Sequence, residues 1–249
     1  MIATICWFQT LRIHLDASTV VAVQRAIEPA RTGDADGIYR RWREYKKGIH
    51  SPRTRVIDMC KEVCPEAVEI FRSPLWDALR LDRPVKQVAK SLVGTTSKLG
   101  DELIKRMMNL NGNSYLDPRW LRKRCMDMLR QGSLEGLAVL VICMRLAASQ
   151  GMNRLAVTFY QFAGDCLLVL GIWFYTHGVA HGLGEYFETD LLPAACRDTP
   201  WLGYFSAVYY ISSILSMSKG LQRAEAINKG ELTSDQALEA MLKFIGFSS

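Results

Sequence analysis

The chain has 249 residues, 49% of them hydrophobic and 22% charged, a net charge of +6 and seven cysteines. That composition excludes a chain disordered from end to end, and the length suffices for one large hydrophobic core or two smaller ones. The cysteines (Cys6, Cys60, Cys64, Cys125, Cys143, Cys166 and Cys196) are odd in number and dispersed, which reads as buried reduced thiols and not as a secreted disulfide framework. The first residues lack the basic start and long apolar core of a signal peptide, so the expectation is a cytoplasmic protein.

The positive charge is concentrated at the front. Residues 1–90 carry 16 Lys/Arg against 11 Asp/Glu, residues 91–154 carry 10 against 5, and residues 155–249 carry 5 against 9. A basic front suits a polyanionic partner, and an acidic, apolar back suits packing or pairing.

Apolar spacing is helical along the chain, and the eight prolines fall between apolar runs. The fold class is therefore all-α. Helices are predicted at 3–15, 18–28, 36–47, 52–63, 66–71, 74–80, 84–92, 99–110, 117–130, 133–149, 152–175, 178–189, 200–217, 219–228 and 233–245. Ser18 is the expected cap of the second helix. Ser51-Pro52 and Asp117-Pro118 each place a capping side chain before a proline at the first helical position, and Ser234-Asp235 opens the last helix. Asn111-Gly112-Asn113 is a loop. The expected division is a small basic unit, 1–83, and a larger helical bundle, 84–249.

The segment 38–55 holds the strongest functional signal. Ile38, Trp42 and Tyr45 share one helical face and can dock on a core. Arg40, Arg41, Arg43, Lys46 and Lys47 fill much of the remainder, Gly48 stops the helix, and Arg53 and Arg55 lie near the start of the next. Closely spaced Arg and Lys meet several phosphates at once, and guanidinium groups can read guanine edges. A helix start at Ser51–Arg53 would add backbone N–H groups. An ordinary solvated face, or a protein-docking face, would use the same residues.

This order resembles a degenerate helix-turn-helix of the phage-repressor (Xre-like) type over residues 7–71. In that family a short helix, a turn and a recognition helix are followed by a Gly and a Pro-initiated helix, as in Tyr45-Lys46-Lys47-Gly48-Ile49-His50-Ser51-Pro52. The turn at 30–37 is longer than the family's. The resemblance implies that Tyr39, Arg40, Arg43 and Lys47 face DNA.

A second basic cluster, Arg119 to Arg124 with Arg130 beyond, surrounds Trp120. Trp120, Leu121 and Cys125 are expected to pack while Arg119, Lys123 and Arg130 point outward, where a nucleic-acid strand could meet them. Three apolar stretches follow, at 134–148, 157–175 and 201–217. Gln161, Asp165 and several serines within them favour buried bundle helices over a membrane hairpin.

His177, His181 and Glu185 fall at i, i+4 and i+8, a weak metal-ligand pattern on a glycine-weakened helix with no fourth ligand. Gly94-Thr95-Thr96-Ser97-Lys98-Leu99-Gly100 lacks the order of a phosphate loop and reads as a linker. No catalytic constellation and no cofactor site stands out. The reading is a non-enzymatic DNA-binding protein of bacterial or phage regulator or mobile-element accessory type. It would contact duplex DNA, or else RNA, with helix 38–47 and use its C-terminal bundle to form a homo-oligomer or bind a protein partner. The alternatives are an adaptor subunit of a protein or ribonucleoprotein assembly, and a membrane-associated effector with a cytosolic basic domain.

Overall fold

The computed structural model describes the backbone of residues 1–28, 35–110, 116–195 and 206–228, and the side chains of 1–28, 38–110, 116–194 and 206–219. Among these residues every regular element is a helix: α1 (Ile2–His14), α2 (Val20–Ile27), α3 (Ala35–Lys46), α4 (Thr54–Val63), α5 (Pro65–Phe71), α6 (Pro74–Ala78), α7 (Val85–Leu92), α8 (Lys98–Asn109), α9 (Pro118–Gln131), α10 (Leu134–Ser149), α11 (Asn153–Val169), α12 (Gly171–Thr176), α13 (Ala180–Tyr186), a π-helical segment (Phe187–Leu191), α14 (Leu192–Ala195) and α15 (Ala207–Asn228). The chain divides into two compact units. The first is Met1–Ser73 with Phe174–Ala180; the second is Pro74–Trp173 with His181–Ser249, so residues 74–83 fall in the second unit.

In the first unit α1 is the central element and buries Cys6, Trp7, Phe8 and Leu11. Trp7 stacks on Trp42 with ring centroids 5.7 Å apart, and Tyr45 and Phe71 meet Trp7 edge-on. Aromatic pairs in these geometries add to the gain from burial. Val23 and Ile27 of α2, Val56, Ile57 and Cys60 of α4, and Ala67 and Val68 of α5 complete the core. The cap of α2 is Thr19, not Ser18: the Ala22 N–H donates to Thr19 Oγ1 at 3.1 Å. Helix α4 begins later than Pro52 suggests, because Pro52 is buried and Arg53 is extended at φ −72°, ψ 153°. Ser51 therefore does not cap it. Gly48 ends α3 at φ +68°, and a side chain there would come within 2.9 Å of the Met1 carbonyl oxygen, so this position demands glycine.

In the second unit α10 is buried around nearly its whole circumference, from Gly136 to Ala147. Helices α6, α7, α8, α9 and α11 surround it. An all-round apolar helix belongs at the centre of a bundle, and the first apolar stretch is accounted for in that way. Among the described residues no helix is long and apolar enough to cross a membrane. The second stretch is not one helix. It breaks after Val169, and Gly171 opens α12 where a side chain would collide with Ile214 of α15 at 2.6 Å. The third stretch enters α15 at Ala207 and runs unbroken to Asn228, joining what the sequence suggested were two helices. The predicted helix 178–189 is instead α13 followed by the π-helical segment. The Glu188 carboxylate accepts the Ala207 N–H at 2.9 Å and so caps α15. The predicted helix 233–245 and the loop 111–113 lie outside the described residues.

Arg145 is the one charged residue on α10 inside the core, at 8% exposure. Its Nη1 donates to the Ala78 carbonyl oxygen at 2.6 Å and its Nη2 to that of Arg83 at 3.1 Å. Tyr186 donates from its hydroxyl to the Leu79 carbonyl oxygen beside them. Two side chains thus satisfy the carbonyls where α6 ends.

Asp165 of α11 sits in a cleft of about 530 Å³ with Leu121, Arg122, Thr158 and Phe162, and burial pushes its carboxyl up to about 6 from the ordinary 3.8. A carboxyl raised in the folded state binds more protons folded than unfolded, so its contribution is fully present below the ordinary value and is lost as pH rises towards about 6. Asp165→Asn is expected to flatten that slope in urea denaturation across this range, and to stabilise above it by about 1 kcal/mol once partial exposure is discounted.

Candidate nucleic-acid interface

The burial of Trp42 and Tyr45 fixes the rotation of α3 about its axis. With that face against α1 and the Trp42 indole N–H donating to Glu28 at 2.8 Å, the basic residues can only flank the helix or face solvent. Arg40, Arg43, Lys46 and Lys47 are exposed, and Tyr39 and Arg41 are half-buried. Tyr39, Arg40, Arg43 and Lys47 occupy one continuous arc, and the Arg43 guanidinium lies over the Tyr39 ring, 5.6 Å from its centroid. Arg53 and Arg55 are exposed at the start of α4.

Among the described residues, only Arg40 of these cations has an internal counter-ion. Its Nε lies 3.1 Å from Glu44 Oε1, and the His50 imidazole lies 3.9 Å from the other carboxylate oxygen. Arg40 is 82% exposed, so that pair contributes little stability. Among the described residues no carboxylate lies within ion-pair distance of Arg41, Arg43, Lys46, Lys47, Arg53 or Arg55. Between the other flank of α3 and the start of α4 lies a cleft of about 460 Å³ lined by Arg40, Arg41, Glu44, Tyr45, His50, Ser51 and Arg53. Burial pushes the Tyr45 phenol up, Arg41 pulls it back, and Glu28 reinforces the burial. The sequence did not single out Glu44 or His50. The i, i+4 spacing of Arg40 and Glu44 was the available signal for the first; His50 is brought in by the turn at Gly48.

Arg119 and Lys123 are exposed on α9 of the second unit, as is Arg130, while Leu121 and Cys125 are buried. Trp120 is not free to stack on a base. The Arg106 guanidinium lies 4.3 Å from its ring centroid and that of Arg124 5.8 Å, and Arg124 is paired with Glu102 at 3.2 Å. This cluster offers charge without an open aromatic platform.

The helical face expected to hold His177, His181 and Glu185 does not exist. α12 ends at Thr176, Gly178 is left-handed at φ +69°, and His177 is buried between helices, whereas His181 and Glu185 lie exposed on α13. Among the described residues no three His, Cys, Asp or Glu side chains are placed to hold a metal ion. The glycine-rich segment 94–100 is closed by its own acid: the Gly94 N–H and Thr96 hydroxyl donate to the Asp101 carboxylate at 2.8–3.0 Å, which hold that carboxyl below its ordinary range. The six cysteines among the described residues are buried and free, and burial pushes Cys6, Cys60 and Cys125 up to about 12, values that keep them un-ionised and unreactive.

Comparison with protein-family models, with curated proteins and with solved structures gives no match.

Proposed function

We propose that the first unit binds nucleic acid, duplex DNA foremost, through the outer arc of α3 and the start of α4. The observation that carries this reading is the excess of exposed cations without internal counter-ions, among the described residues, on one small unit: Arg43, Lys46, Lys47, Arg53 and Arg55, with Arg41 half-buried beside them. Cations left unpaired by their own chain are matched by releasing counter-ions from a phosphate backbone, a gain that depends on salt. Tyr39, Arg40, Arg43 and Lys47 form the arc that the helix-turn-helix resemblance implies would face a groove. A regulatory or mobile-element role follows from that resemblance alone.

Fluorescence anisotropy with a random-sequence duplex at low salt tests the reading. The R40A/R43A/K47A variant is expected to bind at least about tenfold more weakly than the native chain, since three phosphate-facing cations are removed. Equal affinity would exclude this face. Glu44→Gln removes the acid that competes for Arg40 and is expected to tighten duplex binding by about two- to fivefold, the scale of an exposed pair; weaker binding would show that Glu44 supports the surface.

A second reading, a non-enzymatic adaptor subunit, is favoured by the outer face of α15, where Val208 is 79% and Tyr209 62% exposed and Leu215 is also exposed. An apolar helix face of that kind suits self-association or a protein partner. A stoichiometric partner retained after nuclease treatment would support it.

A further inference from the structure

The cleft between α3 and α4 differs in kind from the outer arc of α3, and we propose that it receives the terminal phosphate of a nucleic-acid strand. The proposal rests on the reading of the first unit as a nucleic-acid surface and names what this part of it recognises. Three guanidinium groups, of Arg40, Arg41 and Arg53, line the cleft with one carboxylate, that of Glu44. The three guanidinium groups and the one carboxylate give the lining two net positive charges. An internal phosphodiester brings one negative charge, whereas a phosphomonoester brings nearly two at neutral pH and three acceptor oxygens. The monoester therefore balances the lining and the diester leaves it half compensated.

The cleft has a volume of about 460 Å³, ample for a phosphate group.

The lining is held from behind. The Tyr45 ring is fixed edge-on between Trp7 and Trp42, with centroid distances of 5.6 Å, and its hydroxyl meets the Arg53 backbone. Packing of the aromatic core thus sets the spacing between the α3 and α4 sides of the cleft. Helix α4, ten residues long, begins at the rim with no side chain capping its first N–H groups. Guanidinium groups suit this ligand because their paired N–H donors match two phosphate oxygens at once. Arg40 is already turned towards an acid, and its exposed bond to Glu44 is weak enough for a dianion to replace.

The test compares two otherwise identical labelled DNA duplexes, one with 5′-phosphate ends and one with 5′-hydroxyl ends, binding to the full chain at low salt. The phosphorylated end is expected to bind about tenfold more tightly, the gain of a further charge-assisted contact. Arg53→Ala, at an exposed position, and Arg41→Ala, at a half-buried one, are each expected to abolish that ratio. Lys47→Ala, on the far flank, is expected to lower both affinities and keep it. Equal affinity for the two ends overturns the proposal and leaves the basic-face reading standing. No binding of either overturns the reading itself. Adenosine monophosphate binding as tightly as the phosphorylated duplex would also overturn the proposal, by making a free nucleotide the ligand.

Discussion

The Trp42→Ala variant is expected to lose about 3–5 kcal/mol of stability, because a fully buried aromatic is removed from a core that cannot close over the gap. Trp42 is 0% exposed, packs against Trp7, Phe8 and Tyr45, and gives its indole N–H to Glu28. Its removal leaves a cavity in the aromatic cluster and an acid without its donor. Domains of this size are stable by about 5–15 kcal/mol in total, so a unit with so small a core is left near its midpoint. Amide hydrogen exchange checks this directly. Protection should collapse across α1 to α5 and be retained in α10. Uniform loss across both units would show that they unfold as one, and no loss would show that the cluster does not hold the first unit together.

Arg145→Ala is expected to destabilise the second unit by about 2–4 kcal/mol, because two charge-assisted hydrogen bonds disappear and their carbonyls are left unpaired. Burial pulls the Arg145 guanidinium below its ordinary value, and Tyr186 and Asp82 push back. The chain accepts that cost because Ala78 and Arg83 present carbonyl oxygens that the guanidinium satisfies together. Arg145→Lys, which can serve one carbonyl, is expected to fall between. Urea denaturation should rank native above Lys above Ala. If Lys equals the native residue, a single carbonyl carries the effect.

The helices were legible because their apolar residues keep one period and their ends carry local signals. Val23 and Ile27, and Ile38, Trp42 and Tyr45, declare their faces without reference to the rest of the chain. Asp117-Pro118 states the start of α9, where the Asp117 carboxylate accepts the Arg119 N–H at 3.0 Å. What was not legible depends on partners distant in sequence. Gly171 is required because Ile214 fills the space a side chain would take, and the Ser51-Pro52 signal gave way where Pro52 is buried and Arg53 is extended. The break at His177 likewise dissolves a ligand spacing that needs a continuous helix.

The candidate site was half legible. Composition and spacing named the cations, because charge is a property of residue type. Which cations remain without counter-ions among the described residues, and that Arg40, Arg41 and Arg53 line a cleft with Glu44, are facts of rotation about α3 and of the turn at Gly48. Those follow from where Trp42 is anchored.

The central claim is tested most directly by titrating salt during duplex binding. The native chain should give a steep linear fall of log affinity with log salt, and the R40A/R43A/K47A variant should reduce that slope by about three, one unit for each phosphate-neutralising cation removed. A slope near zero for the native chain, or an identical slope for the variant, would contradict the account.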